Sequence, residues 1–490
     1  MSAQLTVFGL LFFPVGLGLL LWRPSWLLGL LVVSAVFQAS AVATLELGGG
    51  GYGVTPFNAT CALIGLQLCR QFIQGGPRAM VSVVATPGWT GYLLWSGFLL
   101  VAALGALILP RLFEGVLVHP ALVRGVTLMA PEPNRWSISH LAQALNCAAL
   151  WVVFSYARLL PERERAVRIF LHGLAWALAC SLLAGVHQRL AMGGLVPMFP
   201  EFWGSNPGYN QWFYAPEYGP KSFQRVGLPF VEPSYASVWF AALMCGAATV
   251  ALYGRLWRRE ALLLAALAAL GLINTMGTSG LLAGAGFLML LLLFHAMYGY
   301  RFTSTRVGAY VAVVIVGAAV LAGVVLWDYL VLHTAALAPL RETMTWTLGK
   351  VLAYQGSERD ATNRQALSIL LDTYGLGAGA GSSRASSYFL SLLANTGIPG
   401  LLLFLLALAR QCRLAAYAAQ GGSISAIALL GALLSLLIGV GSGIPDQSWP
   451  VVWVLILGVL IVADRQEFGA GAVRSPQSAA GAVDVGGVRP

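Results

Sequence analysis

Apolar residues run along this chain in long blocks without period-two alternation, separated by short polar or glycine-rich connections. Crossing bilayer hydrocarbon takes about 20 helical residues, and only helices or closed barrels satisfy their own backbone there, so unalternating blocks select helices. The pattern predicts spans over 5–22, 25–45, 54–69, 91–109, 137–157, 166–187, 233–253, 260–275, 279–298, 307–327, 386–408, 423–441 and 448–463. The expected fold is an all-α polytopic bundle of 12–14 spans over residues 1–463. The first block has no basic residue ahead of it and is expected to remain as the first span. From residue 464 to 490 the sequence turns Gly, Ala, Ser and Pro-rich, which predicts a disordered cytoplasmic tail.

Charge orients these blocks. Arg158, Arg163, Arg165 and Arg168, then Arg255, Arg258 and Arg259, then Arg301 and Arg306, and finally Arg410 and Arg413 fall in connections that alternate correctly as cytoplasmic. That alternation puts loops 188–232 and 328–385 together on the opposite, extracytoplasmic side. The connection from Arg111 to Arg135 breaks the rule: either a span is miscounted, or 112–129 lies along the interface as a helix broken at Pro120. Composition agrees with a membrane as solvent: 58% of residues are hydrophobic and 9% charged, against about 25% charged in soluble domains. The net charge of +10 sits in short clusters between apolar blocks, which argues against a nucleic-acid partner and for contact with membrane lipids. The six cysteines show no metal-ligand spacing and read as small core residues. No metal or cofactor is expected.

The two outer loops carry the candidate chemistry. The first concentrates aromatics, including Trp203, Trp212 and Tyr214, whose faces suit sugar rings and equally suit a membrane-interface belt. It ends on Arg225 and Glu232 at the mouth of a span, with Pro233 placed for the first helical turn and Glu232 near the positive end of the helix dipole. A plain salt bridge between the two is the structural alternative. The second loop balances Arg341, Lys350, Arg359, Arg364 and Arg384 against Asp328, Glu342, Glu358, Asp360 and Asp372. Arginine forks are favoured ligands of pyrophosphate, and the glycines of 375–381 have amides able to approach such a group. The run lacks the Lys-Ser/Thr ending of a P-loop, which excludes an ATPase reading.

Two stretches resemble the O-antigen ligase and polysaccharide polymerase superfamily of bacterial inner membranes. The first is Arg225, Gly227 and Phe230 followed by Glu232-Pro233-Ser234 and Ala236. The second comprises Ser357 and Arg359, then Gly377, Gly379 and Gly381-Ser382, then Leu390 and the run Leu392 to Gly400. The Thr278-Ser279-x-Leu281 turn between two spans is also similar to a recurrent family feature. The resemblance implies metal-independent glycosyl transfer from an undecaprenyl-diphosphate-linked glycan at the outer face of the bacterial inner membrane. It gives Arg225 and Arg359 the role of holding the donor diphosphate, with Arg364 and Arg384 as neighbouring candidates. Where family ligases carry a His-Asn pair, this chain has Ser386-Ser387, in a form closer to exopolysaccharide and capsule polymerases.

The expected function is thus polymerisation of lipid-linked repeat units into an exopolysaccharide, capsule or O-antigen chain, with lipid-linked glycan as donor and acceptor. A chain-length regulator or export proteins are candidate partners. Glu232, the carboxylate inside the matched block, is the candidate general base, or else it orients an arginine. The histidines at 172, 187, 295 and 333 lie outside the matched blocks and read as structural. The rival enzyme is a ligase transferring glycan to lipid A-core. The rival non-enzyme is a flippase or transporter of lipid-linked oligosaccharide, which would place its charges inside helices around a central cavity.

Overall fold

The computed structural model describes residues 2–47, 50–75, 89–119, 130–160, 162–207, 225–254, 257–275, 277–298, 358–444 and 449–473. These are mostly helical. In chain order they form β1 (Ser2–Leu5), α1 (Val7–Trp22), α2 (Leu27–Ser34), β2 (Ala43–Leu47), β3 (Gly50–Val54), α3 (Pro56–Gly75) and α4 (Trp89–Leu112). There follow β4 (Leu117–Val118), β5 (Glu132–Pro133), α5 (Ile138–Leu159), α6 (Arg163–Met192), α7 (Pro200–Trp203), α8 (Pro233–Tyr253), α9 (Arg258–Thr275) and α10 (Thr278–Tyr298). The described chain closes with α11 (Glu358–Asp372), α12 (Tyr388–Gln420), α13 (Ile424–Gly443) and α14 (Pro450–Val473).

Six of these helices are long and apolar enough to cross a membrane: α4, α5, α6, α8, α12 and α13. The apolar stretches Val7–Trp22, Pro24–Ser34, Thr278–Leu291 and Pro450–Ala463 are shorter. The molecule is a membrane protein by this measure, with six clear spans among the described residues. The span expected at 307–327 lies outside the described residues. The last helix runs on to Val473, past residue 464 where the tail was expected to begin; 474–490 lie outside the described residues.

The described chain is mostly helical, as expected, with a few short strands beside the helices. β1, β2 and β3 form an antiparallel sheet with Leu5 opposite Ala43 and Ala43 opposite Val54. Residues 25–45 were expected as one span, but the helix stops at Ser34. Beyond it the backbone is bonded to other parts of the protein: Asn206 Nδ2 donates to Gln38 O at 3.1 Å, and Ser40 Oγ donates to the carbonyls of Phe202 and Trp203 at 3.0 and 3.1 Å. The Ala39 amide donates to Pro229 O at 3.3 Å. Non-helical backbone within a membrane protein persists where protein groups satisfy it, and here the polar side chains supply those partners.

Of the expected interfacial helix over 112–129, only 112–119 are described, and these are not helical beyond Leu112. After Leu112 the chain turns, and Leu117–Val118 pairs with Glu132–Pro133; 120–129 lie outside the described residues. This connection is fastened to the 358–385 segment. Asn134 Nδ2 donates to Ala378 O at 3.1 Å, the Arg384 amide to His119 O at 2.9 Å and Gln365 Nε2 to Leu117 O at 2.8 Å. The basic residues there are local: the Arg111 guanidinium lies 5.1 Å over the Trp136 ring.

An aromatic core joins α4, α5, α12 and α14. Trp95 meets Phe154, Phe404 and Trp453 edge-on with ring centroids 5.9, 5.4 and 5.8 Å apart. The α12 helix kinks at Gly397 (φ 66°), two residues before Pro399. Pro399 brings no amide hydrogen, and the kink lets the Ile398 amide reach Gly375 O at 2.9 Å. A β-carbon on Gly397 would stand 2.3 Å from that same oxygen, so only glycine fits.

Candidate functional site

The loop that leads into α8 places Arg225 and Glu232. Pro233 opens the helix, and Glu232 is its N-cap residue in extended conformation. The Glu232 side chain makes no cap bond. Its Oε2 instead accepts from Ser234 Oγ at 2.9 Å. Upstream, Gln188 Oε1 accepts from the amides of Gly227 and Leu228 at 2.9 and 3.0 Å, and the Val226 amide donates to Asn274 O at 3.4 Å. Arg189 Nε donates to Asn274 Oδ1 at 2.7 Å. The ends of α6 and α9 thereby hold the loop from two sides.

Arg225, Glu232 and Arg359 come together. Burial lowers the proton affinity of the Arg225 guanidinium from its ordinary value; the neighbouring Glu232 carboxylate opposes that, and the like charge of Arg359 reinforces it. Residues 134 positions apart in sequence thus share one electrostatic neighbourhood. Guanidinium groups stay protonated through perturbations of this kind, so two cations face one carboxylate. Arg225 is thus electrostatically coupled both to Glu232 and to a second arginine.

Arg359 lies in the first turn of α11, which is exposed at that residue. Its Nη1 reaches the end of α13, where a β-carbon on Gly443 would be 3.0 Å away, and the same β-carbon would be 2.5 Å from Ser279 Oγ at the start of α10. The Thr278-Ser279 turn therefore borders Arg359. Gly277 and Gly280 hold the turn against α8: β-carbons there would stand 2.1 Å from Ser237 Oγ and 2.5 Å from the Ser237 carbonyl carbon.

Ser386 and Ser387 are tied to α11 as well. Asn363 Oδ1 accepts from their amides at 3.0 and 3.2 Å, and the hydroxyls of Ser386 and Thr362 are 3.0 Å apart. Arg364 is different. It is exposed and forms an ion pair with Asp360 one turn earlier, and that hydrogen bond and charge raise its proton affinity. Arg384 is half-buried with its amide bonded to His119 O.

The glycine run does not form the anion cradle that its sequence suggested. The amides of Gly377, Ala378 and Gly379 donate to Thr373 Oγ1, Ala394 O and Asn395 O at 3.0, 2.8 and 3.0 Å. The Ser383 amide donates to Asn395 Oδ1 at 3.0 Å, while Asn395 Nδ2 donates to Ser383 O and Ser391 O at 2.6 and 2.7 Å. Gly377 has φ 82°, and a β-carbon there would stand 2.6 Å from Gly397 N. The glycines allow the loop to press against the α12 kink. A buried histidine locks the other side. His140 Nδ1 accepts from the Ser137 amide at 2.9 Å, which puts the ring proton on Nε2, and that nitrogen donates to Ser382 Oγ at 2.9 Å. Ser382 passes its own proton to Ala378 O at 2.7 Å. In this tautomer His140 is no base for Ser382.

Trp203 sits in an aromatic group instead of beside the arginines. It stacks on Phe37 at 6.2 Å and 9°, meets Phe202 edge-on at 4.8 Å and lies 5.8 Å from His187. Trp212, Tyr214 and Ser357 lie outside the described residues. Among the described residues there is no group of three or more His, Cys, Asp or Glu placed to hold a metal ion. Sequence reasoning missed Gln188, Asn274 and Asn363. The available signal was a polar residue at the end of an apolar block, which marks a side chain with a specific partner. Comparison with protein-family models and with curated proteins finds no match for this chain.

Proposed function

We propose that this protein transfers glycan between polyprenyl-diphosphate carriers, polymerising lipid-linked oligosaccharide repeat units into a polysaccharide at the outer face of a bacterial inner membrane. The observation that carries the reading is the coupling of Arg225, Glu232 and Arg359 at the mouth of α8. Two guanidiniums beside one carboxylate leave a local excess of positive charge, which suits a diphosphate. The leaving group in such a transfer is a lipid diphosphate, and fixed cations on its developing charge lower the barrier directly. Glu232 then has a free role: Oε2 accepts from Ser234, and the carboxylate takes the proton of the attacking sugar hydroxyl. Arg384 and the Ser386-Ser387 pair border the donor, and the aromatic residues Trp212 and Tyr214 are assigned to the glycan, while Trp203 packs within its own aromatic group. Serines at the positions where family ligases carry His-Asn favour polymerisation over transfer to lipid A-core. Charges gathered at helix ends favour chemistry at one face over carriage through the membrane.

The test is elongation by the purified full chain in detergent, supplied with lipid-linked repeat units. Wild type should lengthen the glycan on its carrier with no second compartment, and Glu232→Gln should abolish elongation while leaving folding and donor binding intact. A Gln variant that still elongates removes Glu232 as base. Wild-type protein that binds the donor without elongating it removes the polymerase reading.

A further inference from the structure

Arg359 belongs to an exposed helix turn, yet its guanidinium is seated where the ends of α8, α10 and α13 converge. Each contact in that seat is made by a glycine. Gly277 and Gly280 press the start of α10 onto Ser237 of α8, at distances no side chain tolerates. Gly443 ends α13 and faces both Ser279 Oγ and Arg359 Nη1 across a space of one methyl group. The last carbonyls of a helix carry partial negative charge, which favours a guanidinium there. The carbonyls of the last turn of α13, 440–443, are of this kind.

We propose that Gly443 is a positioning residue for Arg359, leaving the space in which the guanidinium lies against the end of α13 and faces the donor diphosphate. The inference rests on Arg359 being a diphosphate ligand, as argued above. A β-carbon at 443 meets Ser279 Oγ first, at 2.5 Å. Ser279 is buried on a turn fixed against α8, so its hydroxyl answers the overlap by rotating about χ1 rather than by moving the turn. Arg359 Nη1, 3.0 Å from the same β-carbon, must also give, and as the long, exposed side chain it can. Gly443→Ala therefore displaces the guanidinium together with the serine hydroxyl and leaves the helices in place.

The experiment is a double-mutant cycle on the full chain in detergent, read as affinity for farnesyl diphosphate, a lipid diphosphate without sugar. Gly443→Ala should weaken binding about tenfold in the wild-type background and cause no further loss when Arg359 is already alanine. An equal loss in both backgrounds, or wild-type affinity in the single variant, overturns the proposal. Should Gly443→Ala fail to fold, adding Ser279→Gly removes the nearer obstruction and the same cycle is run on that pair. Wild-type protein that does not bind farnesyl diphosphate sinks the diphosphate reading instead. The positional claim is then decided by the rate at which phenylglyoxal modifies Arg359, read by peptide mass spectrometry: a severalfold change in Gly443→Ala supports it, and an unchanged rate refutes it.

Discussion

Gln188 holds the loop that presents Arg225, and its removal has a calculable effect. Its side-chain oxygen accepts from two consecutive amides, Gly227 at 2.9 Å and Leu228 at 3.0 Å, at a position only 4% exposed. Gln188→Leu keeps the volume and deletes the acceptor. Each buried amide left unpaired costs about 1–3 kcal/mol, so the ordered loop loses about 2–6 kcal/mol relative to its opened forms. At about 1.4 kcal/mol per tenfold change, even 3 kcal/mol raises the opened population about a hundredfold. Hydrogen–deuterium exchange in detergent reads this without any assumption about activity: the amides of the 226–230 segment should exchange at least thirtyfold faster in the variant, roughly the lower end of that range. Gln188→Glu keeps an acceptor at both amides in either protonation state and should retain most of the protection. Unchanged exchange in Gln188→Leu would refute the claim that this side chain orders the loop. Because Arg225 borders the segment, the same variant should lose donor affinity only as far as the closed fraction falls below one, since the apparent Kd scales inversely with that fraction.

Arg225→Ala should reduce donor affinity and turnover together by at least tenfold in a reconstituted elongation assay, since the residue is coupled to both Glu232 and Arg359; unchanged kinetics would exclude it from the donor site. Arg364→Ala should change activity by less than about twofold, because its guanidinium is exposed and engaged with Asp360 and surface pairs contribute little; a large loss would mean that it turns to meet substrate. Asn395→Asp should lower the thermal midpoint in detergent more than Asn395→Ala does. It sets a carboxylate oxygen against the carbonyls of Ser383 and Ser391, where Nδ2 now donates at 2.6 and 2.7 Å.

The apolar helices α4, α5, α6, α8, α9, α10, α12, α13 and α14 were legible because hydropathy dictates them, and boundaries such as Pro233 and Ser423 carry recognisable start signals, whereas α7 and α11 fall in stretches that read as loops. The chain between Ser34 and Val54 was not legible. Its apolar residues continue the hydropathy of α2, while its geometry depends on Asn206 and Pro229, far along the sequence. The glycine run misled for a related reason. Free glycine amides and amides pressed against a kinked helix share one sequence pattern, and only Asn395 and Gly397 decide between them. Arg225 and Glu232 were legible as a pair at a helix mouth. That Arg359 joins them required tertiary structure, since α11 is placed by Asn363 and Thr362 through bonds that no spacing announces.

Those bonds also fix which groups around Arg359 can accept a proton. Thr362 Oγ1 has one hydrogen, and it is donated to the Arg359 carbonyl at 3.0 Å. The contact of 3.0 Å between Thr362 and Ser386 must then be donated by Ser386. Ser386 therefore presents lone pairs and no free hydrogen, suited to receiving a bond from a sugar hydroxyl but far too weak to deprotonate one. A serine in this bonding state cannot replace a histidine as base. If the proposed transfer takes place here, the proton must go elsewhere, and Glu232 is the carboxylate coupled to the arginine pair. In that transfer the hydroxyl chain would border the donor, the guanidiniums would hold the departing diphosphate, and the proton would leave through Glu232: a division of labour in which Ser386→Ala slows elongation modestly while Glu232→Gln stops it.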